Sequence, residues 1–191
     1  MNTIHNLLCS SRWWARRVEG ELVPWGVGGI ELGDEVLEVG PGFGATTRLL
    51  ARRLGPGHLT AVELDEGYCQ HLRRDLGDAV KVVQGDATAL PFDDDRFSSA
   101  LCFTMLHHIP QRERQDRAFA EVARVLRPGG VFAGTDSVGT GRLFKLIHIG
   151  DTLLPIAPQG MAQRLQRVGF AEAVVDDAGK SFRFRARKPS L

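Results

Sequence analysis

Seven residues, Glu38-Val-Gly-Pro-Gly-Phe-Gly44, carry the densest chemical signal in the chain. A glycine cluster lets backbone approach a ligand without interference from Cβ atoms. The first N–H groups of a following helix have no partners inside that helix. Phosphate cradling is one use of such a turn, because Gly40-x-Gly42-x-x-Ala45 satisfies the dinucleotide fingerprint. A tight structural turn is another. Three carboxylates favour a different ligand. Glu38 stands two residues before Gly40, where it would repel a pyrophosphate and attract an amino or sulfonium group. Glu63 has the spacing expected of a carboxylate that accepts both ribose hydroxyls. Asp86, in Gln84-Gly85-Asp86-Ala87, could accept from an adenine amino group. Each acid alone reads as a solvated strand end. Together they converge on one adenosyl ligand.

Further along, Met105-Leu-His-His-Ile109 offers His107 and His108. An imidazole near neutrality can take a proton from an acceptor hydroxyl, or it can cap or pack against the next helix. Asp136 is open to the same two uses, catalysis or a turn cap. No His, Cys, Asp or Glu cluster has metal-ligand spacing, so no metal is expected.

These residues need a scaffold. Val36, Leu37 and Val39 form a short apolar run, as in a strand buried on both faces. Strands are expected near 59–64, 79–83, 99–104, 131–135, 172–175 and 181–187. Helices are expected over 46–54, 67–76 and 161–168, with a longer one carrying Ala118, Phe119, Val122, Val125 and Leu126 on one face and ending at Pro128-Gly129-Gly130. The alternation implies an open, mostly parallel α/β sheet with its ligand at the carboxyl ends of the strands. Strict alternation in Phe182-Arg-Phe-Arg-Ala-Arg-Lys188 suits a terminal strand better than a nucleic-acid surface. At the start, Ser10 or Ser11 could cap a helix with Trp14, Val18 and Leu22 on one stripe, stopped by Pro24. Residues 1–30 thus read as an N-terminal helical extension, a possible lid, before a domain over 31–191.

Composition narrows the class. The chain has 191 residues, 43% hydrophobic and 25% charged, with net charge +1. That balance supplies no general attraction to nucleic acid or anionic lipid. Cys9, Cys69 and Cys102 lie far apart without a CxxC pair, as expected of a reducing compartment. The longest apolar stretch, 143–156, is broken by Lys145, His148, Asp151 and Pro155, too polar to span a bilayer. A cytoplasmic protein, monomeric or homodimeric, is expected.

With these motifs in order, the chain resembles the class I S-adenosylmethionine-dependent methyltransferases, of the small-molecule, methyltransferase type 11 or ubiquinone/menaquinone-like kind. Leu32 to Gly44 looks like their first motif, Ala61-Val-Glu63-Leu-Asp65 the acidic second-strand motif, and Gly85-Asp86-Ala87 with Leu90-Pro91-Phe92 the third. Leu126-Arg-Pro-Gly-Gly130 is similar to their turn before the fifth strand, and Met105–Ile109 to a segment beside the transferable methyl. The resemblance implies a Rossmann-like sheet of seven strands, order 3-2-1-4-5-7-6, the last antiparallel. It implies S-adenosyl-L-methionine as cofactor, S-adenosyl-L-homocysteine as product and a small-molecule acceptor. The implied cofactor residues are Glu38, Gly40, Pro41, Gly42, Phe43, Gly44, Glu63, Leu64, Gly85, Asp86, Ala87, Phe103 and Thr104. Many relatives place Asp after Phe where this chain has Phe97-Ser98-Ser99. Residues 141–151 fall where the family builds part of its substrate pocket, and their apolar content suits a partly hydrophobic acceptor or simple packing on the sheet.

Two rivals remain. A short-chain nicotinamide oxidoreductase would need Tyr-x-x-x-Lys, but the sole tyrosine is Tyr68 and position 72 is Leu. A non-catalytic module that keeps the adenosyl site is the other. Nucleic-acid amine methylation would call for an Asn/Asp-Pro-Pro-aromatic signature, absent after the fourth strand.

Overall fold

Strand β1 (Val36–Val39) is buried along its whole length, and its position between two neighbours explains why. It pairs in parallel with β2 (Leu59–Glu63) on one side and β4 (Phe97–Phe103) on the other. The computed structural model, which describes Leu7 and residues 11–139 and 153–190, extends this centre into a seven-stranded sheet. Its order is β3-β2-β1-β4-β5-β7-β6, with β3 at Val80–Gln84, β5 at Leu126–Ser137, β6 at Ala171–Asp177 and β7 at Ser181–Arg187. Only β7 runs antiparallel to its neighbours. The expected order and the antiparallel last strand are both observed.

Helices cover both faces. On one side lie α1 (Arg12–Arg17), a π turn (Val18–Leu22), α2 (Val23–Val27) and α3 (Ala45–Leu54). Their Val18, Leu22, Val23, Leu49 and Leu50 share a core with Leu101 and Ala133 of the sheet. α4 (Glu66–Leu76) follows β2 and buries Cys69 and Leu72. On the other side, α5 (Arg112–Val125) and α6 (Met161–Arg167) pack Phe119, Val122 and Leu165 against Phe132 and Phe184. Burial alternates along β7, with Phe182, Phe184 and Ala186 inside. Among the described residues no helix is long and apolar enough to cross a membrane.

Two local expectations need correction. Ser11 caps α1 as anticipated, accepting from the Trp14 N–H, but Pro24 does not stop the helix, which runs on to Val27. A proline ring normally clashes with the carbonyl four residues back. Here the preceding turn is widened to a π turn, with the Val23 N–H reaching back to the Val18 carbonyl, so the ring is tolerated. Second, β5 starts at Leu126 rather than 131. Leu126 pairs with Phe97, and a register irregularity takes up Arg127-Pro-Gly-Gly130 before pairing resumes at Val131. Ser98 and Ser99, where many relatives have Asp, are structural: the Ser98 hydroxyl accepts from the Glu35 N–H, and both hydroxyls donate to the Leu32 carbonyl, anchoring the lead into β1.

Gly134 of β5 marks the tightest approach in the sheet, since a Cβ there would lie 1.7 Å from the Cys102 carbonyl oxygen. Gly134→Ala is expected to lower unfolding stability by at least about 1–3 kcal/mol, as overpacked sites do. A urea midpoint equal to wild type would show that the β4–β5 pair yields more easily than this spacing allows.

Candidate functional site

Parallel register brings the acid-bearing strand ends side by side. Glu38 pairs across to Ala61 and Leu101, Glu63 to Gln84, and Asp86 follows two residues after Gln84. Between β1 and α3 the chain turns through Gly40, Gly42 and Gly44, all with positive φ. Side chains are disfavoured there by conformation, and at Gly40 by space as well. A Cβ on Gly40 would sit 2.2 Å from Met105 Cγ, because Met105 lies over the turn. Gly44 supplies no capping side chain to α3, whose first N–H groups therefore face the turn without that partner. Pro41 is buried, and the Gly44 N–H closes the turn onto its carbonyl.

Glu38 is fully buried. Its Oε1 accepts from the Thr46 hydroxyl of α3, while Oε2 has no partner among the described residues. Burial pushes the carboxyl up to about 7, against the opposing influence of the Thr46 and Thr47 hydroxyls. Thr47 Oγ1, one residue along α3, is also buried without a partner. Glu63 differs. Its Oε2 accepts from the Gly42 N–H at 3.0 Å and its Oε1 from the Asp65 N–H at 3.1 Å. The carboxylate thereby pins the glycine turn to the end of β2. Leu64 beside it is 65% exposed. Phe43 packs its ring 4.9 Å from Tyr68 and 5.8 Å from His71.

Asp86 is more heavily engaged than the sequence implied. Its Oδ1 accepts from the Thr88 N–H and hydroxyl, and Oδ2 from Arg114 at 2.8 Å. Burial raises its carboxyl, but these bonds and the Arg114 charge outweigh that and hold it below the usual range. Gly85 is fixed by its N–H to the Glu63 carbonyl, and Ala87 lies half-buried against the core.

The second group of candidates forms one unit at the ends of β4 and β5. Phe103 is buried. Thr104 adopts a left-handed backbone, φ 50°, with its N–H on the Thr135 carbonyl. The chain then enters a 3-10 turn (Leu106–His108). His107 is buried, and its Nδ1 lies 2.5 Å from Asp136 Oδ1, while its backbone N–H donates to Oδ2. The Ser137 N–H also donates to Oδ1. The rings of His107 and His108 stand 4.2 Å apart. Two candidates 29 residues apart in sequence are therefore one His–Asp pair. With Nδ1–H given to a carboxylate, the acceptor nitrogen of the neutral imidazole is Nε2, the arrangement an orientated general base requires.

Met105 heads the segment expected beside the methyl, whereas Thr46 and Arg114 were not singled out in the sequence. Thr46 alone had a signal, as a hydroxyl on the first turn after the glycines. Residues 141–151, expected near an acceptor pocket, lie outside the described residues. Among the described residues no group of three His, Cys, Asp or Glu could hold a metal ion.

Comparison with known proteins agrees with this geometry. Residues 36–130 match a family profile described as a methyltransferase domain. The chain is 42% identical over 108 residues to a fatty-acid O-methyltransferase of Mycolicibacterium smegmatis, covering 55% of this chain and 38% of that protein. It is 34% identical over 108 residues to a ubiquinone/menaquinone biosynthesis C-methyltransferase of Hahella chejuensis, covering 53% and 42%. The chain thus spans about two fifths of the length of these curated relatives. Among solved structures, an S-adenosylmethionine-dependent methyltransferase from Methanosarcina mazei superposes with TM-score 0.69 at 17% identity, over 85% of this chain and 95% of that one, a likeness of fold. Glycine turn, acid-tipped strands, sheet order and sequence match agree: over residues 36–130 this chain belongs to the methyltransferase-domain family, and its fold is that of the S-adenosylmethionine-dependent methyltransferases.

Proposed function

We propose that the chain binds S-adenosyl-L-methionine at the glycine turn and methylates a small, partly hydrophobic molecule, leaving S-adenosyl-L-homocysteine. The observation that carries this reading is the buried Glu38 carboxyl with an unpartnered oxygen beside that turn. A buried polar atom without a partner is costly unless a ligand completes it, and a cationic amino group is the partner an acid near neutrality suits. Glu63 supports the rest of the fit. A carboxylate offers roughly four lone-pair sites; Gly42 and Asp65 occupy one on each oxygen, which leaves an acceptor on each for a ribose hydroxyl. By the same reasoning Asp86 keeps one site after Thr88 and Arg114, enough for an adenine amine. Gly40, Pro41, Gly42, Phe43 and Gly44 would line the ligand's path, exposed Leu64 would flank the nucleoside, Gly85 and Ala87 the base, and Phe103 and Thr104 the opposite end.

When bound, the sulfonium supplies an already activated methyl group. The protein's task is then alignment and, for an acceptor with an acidic proton, removal of that proton. Asp136 holds His107 in the tautomer whose Nε2 accepts, and His108 packs beside it. The names of the relatives, fatty-acid and ubiquinone/menaquinone methyltransferases, support an acceptor with apolar bulk. In this reading residues 31–191 are the cofactor-binding domain, residues 1–30 an extension that covers one sheet face, and the protein acts in the cytoplasm as a monomer or homodimer without nucleic acid.

In a thermal-shift assay S-adenosylmethionine and S-adenosylhomocysteine should both raise Tm, by about 2.7 kcal/mol of added stability at a hundredfold excess over Kd, and NADH should not. A shift with NADH alone sinks the proposal. Glu63→Ala should weaken S-adenosylhomocysteine at least about tenfold by calorimetry, because charged hydrogen bonds are lost; an unchanged Kd removes the ribose assignment. His107→Ala should leave that Kd nearly unchanged and lower kcat by about a hundredfold, measured as S-adenosylhomocysteine production. Full turnover would discard the general base.

Glu38 yields a test that needs no ligand. Its folded-state pKa lies above the ordinary 4.5, so folding retains its proton, and the stability contribution is complete below about 4.5 and lost as pH rises through about 7. Relative to wild type, Glu38→Gln should be more resistant to urea at pH 8 than at pH 5 by a few kcal/mol. Parallel pH dependences in the two proteins would mean that Glu38 titrates normally.

A further inference from the structure

The turn that carries His107 is held from behind by a side chain on another helix. Gln115 of α5 is buried, and its amide N–H groups reach three main-chain carbonyls: Leu106 at 3.2 Å, Ile109 at 3.4 Å and Leu154 at 3.0 Å. The first two flank the histidine pair. Leu154 closes the ring, because its own N–H donates to the His107 carbonyl at 2.7 Å. One amide therefore ties both ends of the 106–109 turn and the strand of chain lying against it.

An amide can face either way, but this one cannot. Arg164 of α6, only 7% exposed, donates from Nη2 to Gln115 Oε1 at 3.0 Å. A guanidinium has no acceptor, so the Gln115 oxygen must face it and the NH2 must face the carbonyls. Arg164 is itself fixed by Asp116 at 2.6 Å, by the Arg112 carbonyl, and by the Phe119 ring 5.2 Å away. A buried arginine is expensive to desolvate, and an apolar side chain of similar size is often neutral or better for stability. Its place between α5 and α6, bonded to Gln115 and Asp116, suits a role in geometry.

We propose that Gln115, orientated by Arg164, is a positioning residue that sets the His107 ring against Asp136 and so fixes the direction of its proton-accepting nitrogen. This rests on the reading of His107 as the base. Misplacement by about 1 Å costs up to a hundredfold in rate. No contact of Gln115 with the glycine turn is involved, so the cofactor's affinity should not depend on it.

The test compares Gln115→Met, Arg164→Met and Arg164→Lys in the whole chain. Gln115→Met should speed hydrogen exchange at the Leu154 and Ile109 amides and alter the His107 ring-proton NMR signal. It should also lower kcat between about ten- and a hundredfold and shift the pH profile of turnover, with the Kd for S-adenosylhomocysteine within about twofold of wild type. Arg164→Met should move the same readouts, and Arg164→Lys, which can still donate to Gln115, should recover part of the loss. Should Gln115→Met not fold, the Arg164 pair still decides. Unchanged exchange and ring signals, or equal behaviour of Arg164→Lys and Arg164→Met, overturn the proposal. If the ring signal moves while His107→Ala retains full turnover, the base assignment falls and the catalytic part of the proposal with it; the two failures are thus distinct.

Discussion

A carboxyl group sealed inside a protein must keep its proton, find a partner or wait for a ligand. Glu38 is in that position at the centre of the sheet, flanked by Ala61 and Leu101 and reached by one hydroxyl, from Thr46. Much of the surrounding design follows from accommodating it. The strand must be short and otherwise apolar, the next helix must start close enough for Thr46 to arrive, and the connection must be glycine-rich to bring that helix in. The turn is then fixed from the other side by Glu63, whose carboxylate takes the Gly42 N–H. Two acids from neighbouring strands thus hold one loop, one from beneath and one from its flank.

The His–Asp pair occupies a different part of the molecule for a related reason. β4 and β5 are adjacent and parallel, so residues just beyond their ends are brought together whatever the distance between them in sequence. Asp136 can meet both the ring and the backbone of His107 because the Thr104 backbone turns left-handed at the strand's end. That conformation is uncommon for a β-branched residue and is kept in place by the Thr135 carbonyl. The acid-tipped strand ends on one half of the sheet and the His–Asp pair near its middle are both products of the same parallel register.

Local pattern made much of this readable. The four-residue apolar run of β1, the alternation of β7 and the glycine spacing each encode structure within a few residues, and each was found where expected. The features that escaped depend on distant partners or on compensation between neighbours. Pro24 reads as a helix stop in the sequence, but the π turn before it lets the helix continue. β5 was read as short because Pro128-Gly129-Gly130 resembles a break, whereas Leu126 finds a strand partner in Phe97 ahead of it. Arg114 reaches Asp86 across 28 residues and Arg164 reaches Gln115 across 49. Nothing in the spacing of an arginine announces which acid or amide it will meet after folding.

The last strand has one more consequence. β7 lies between β5 and β6, and among the described residues β6 has no other partner in the sheet. Its arginines also hold the N-terminal layer, Arg183 through the Trp25 carbonyl and Arg185 through the Gly28 carbonyl. Residues 181–187 come after every other described strand in the sequence, so neither the sheet's edge nor the attachment of α2 can be completed before they are made. Until then β5 presents an unpaired border, the kind of transient surface that invites association between nascent chains. The hazard of misassembly therefore lasts until residues 181–187 join the sheet, and this segment, whose Phe182 lies opposite Asp136, is the one that closes it.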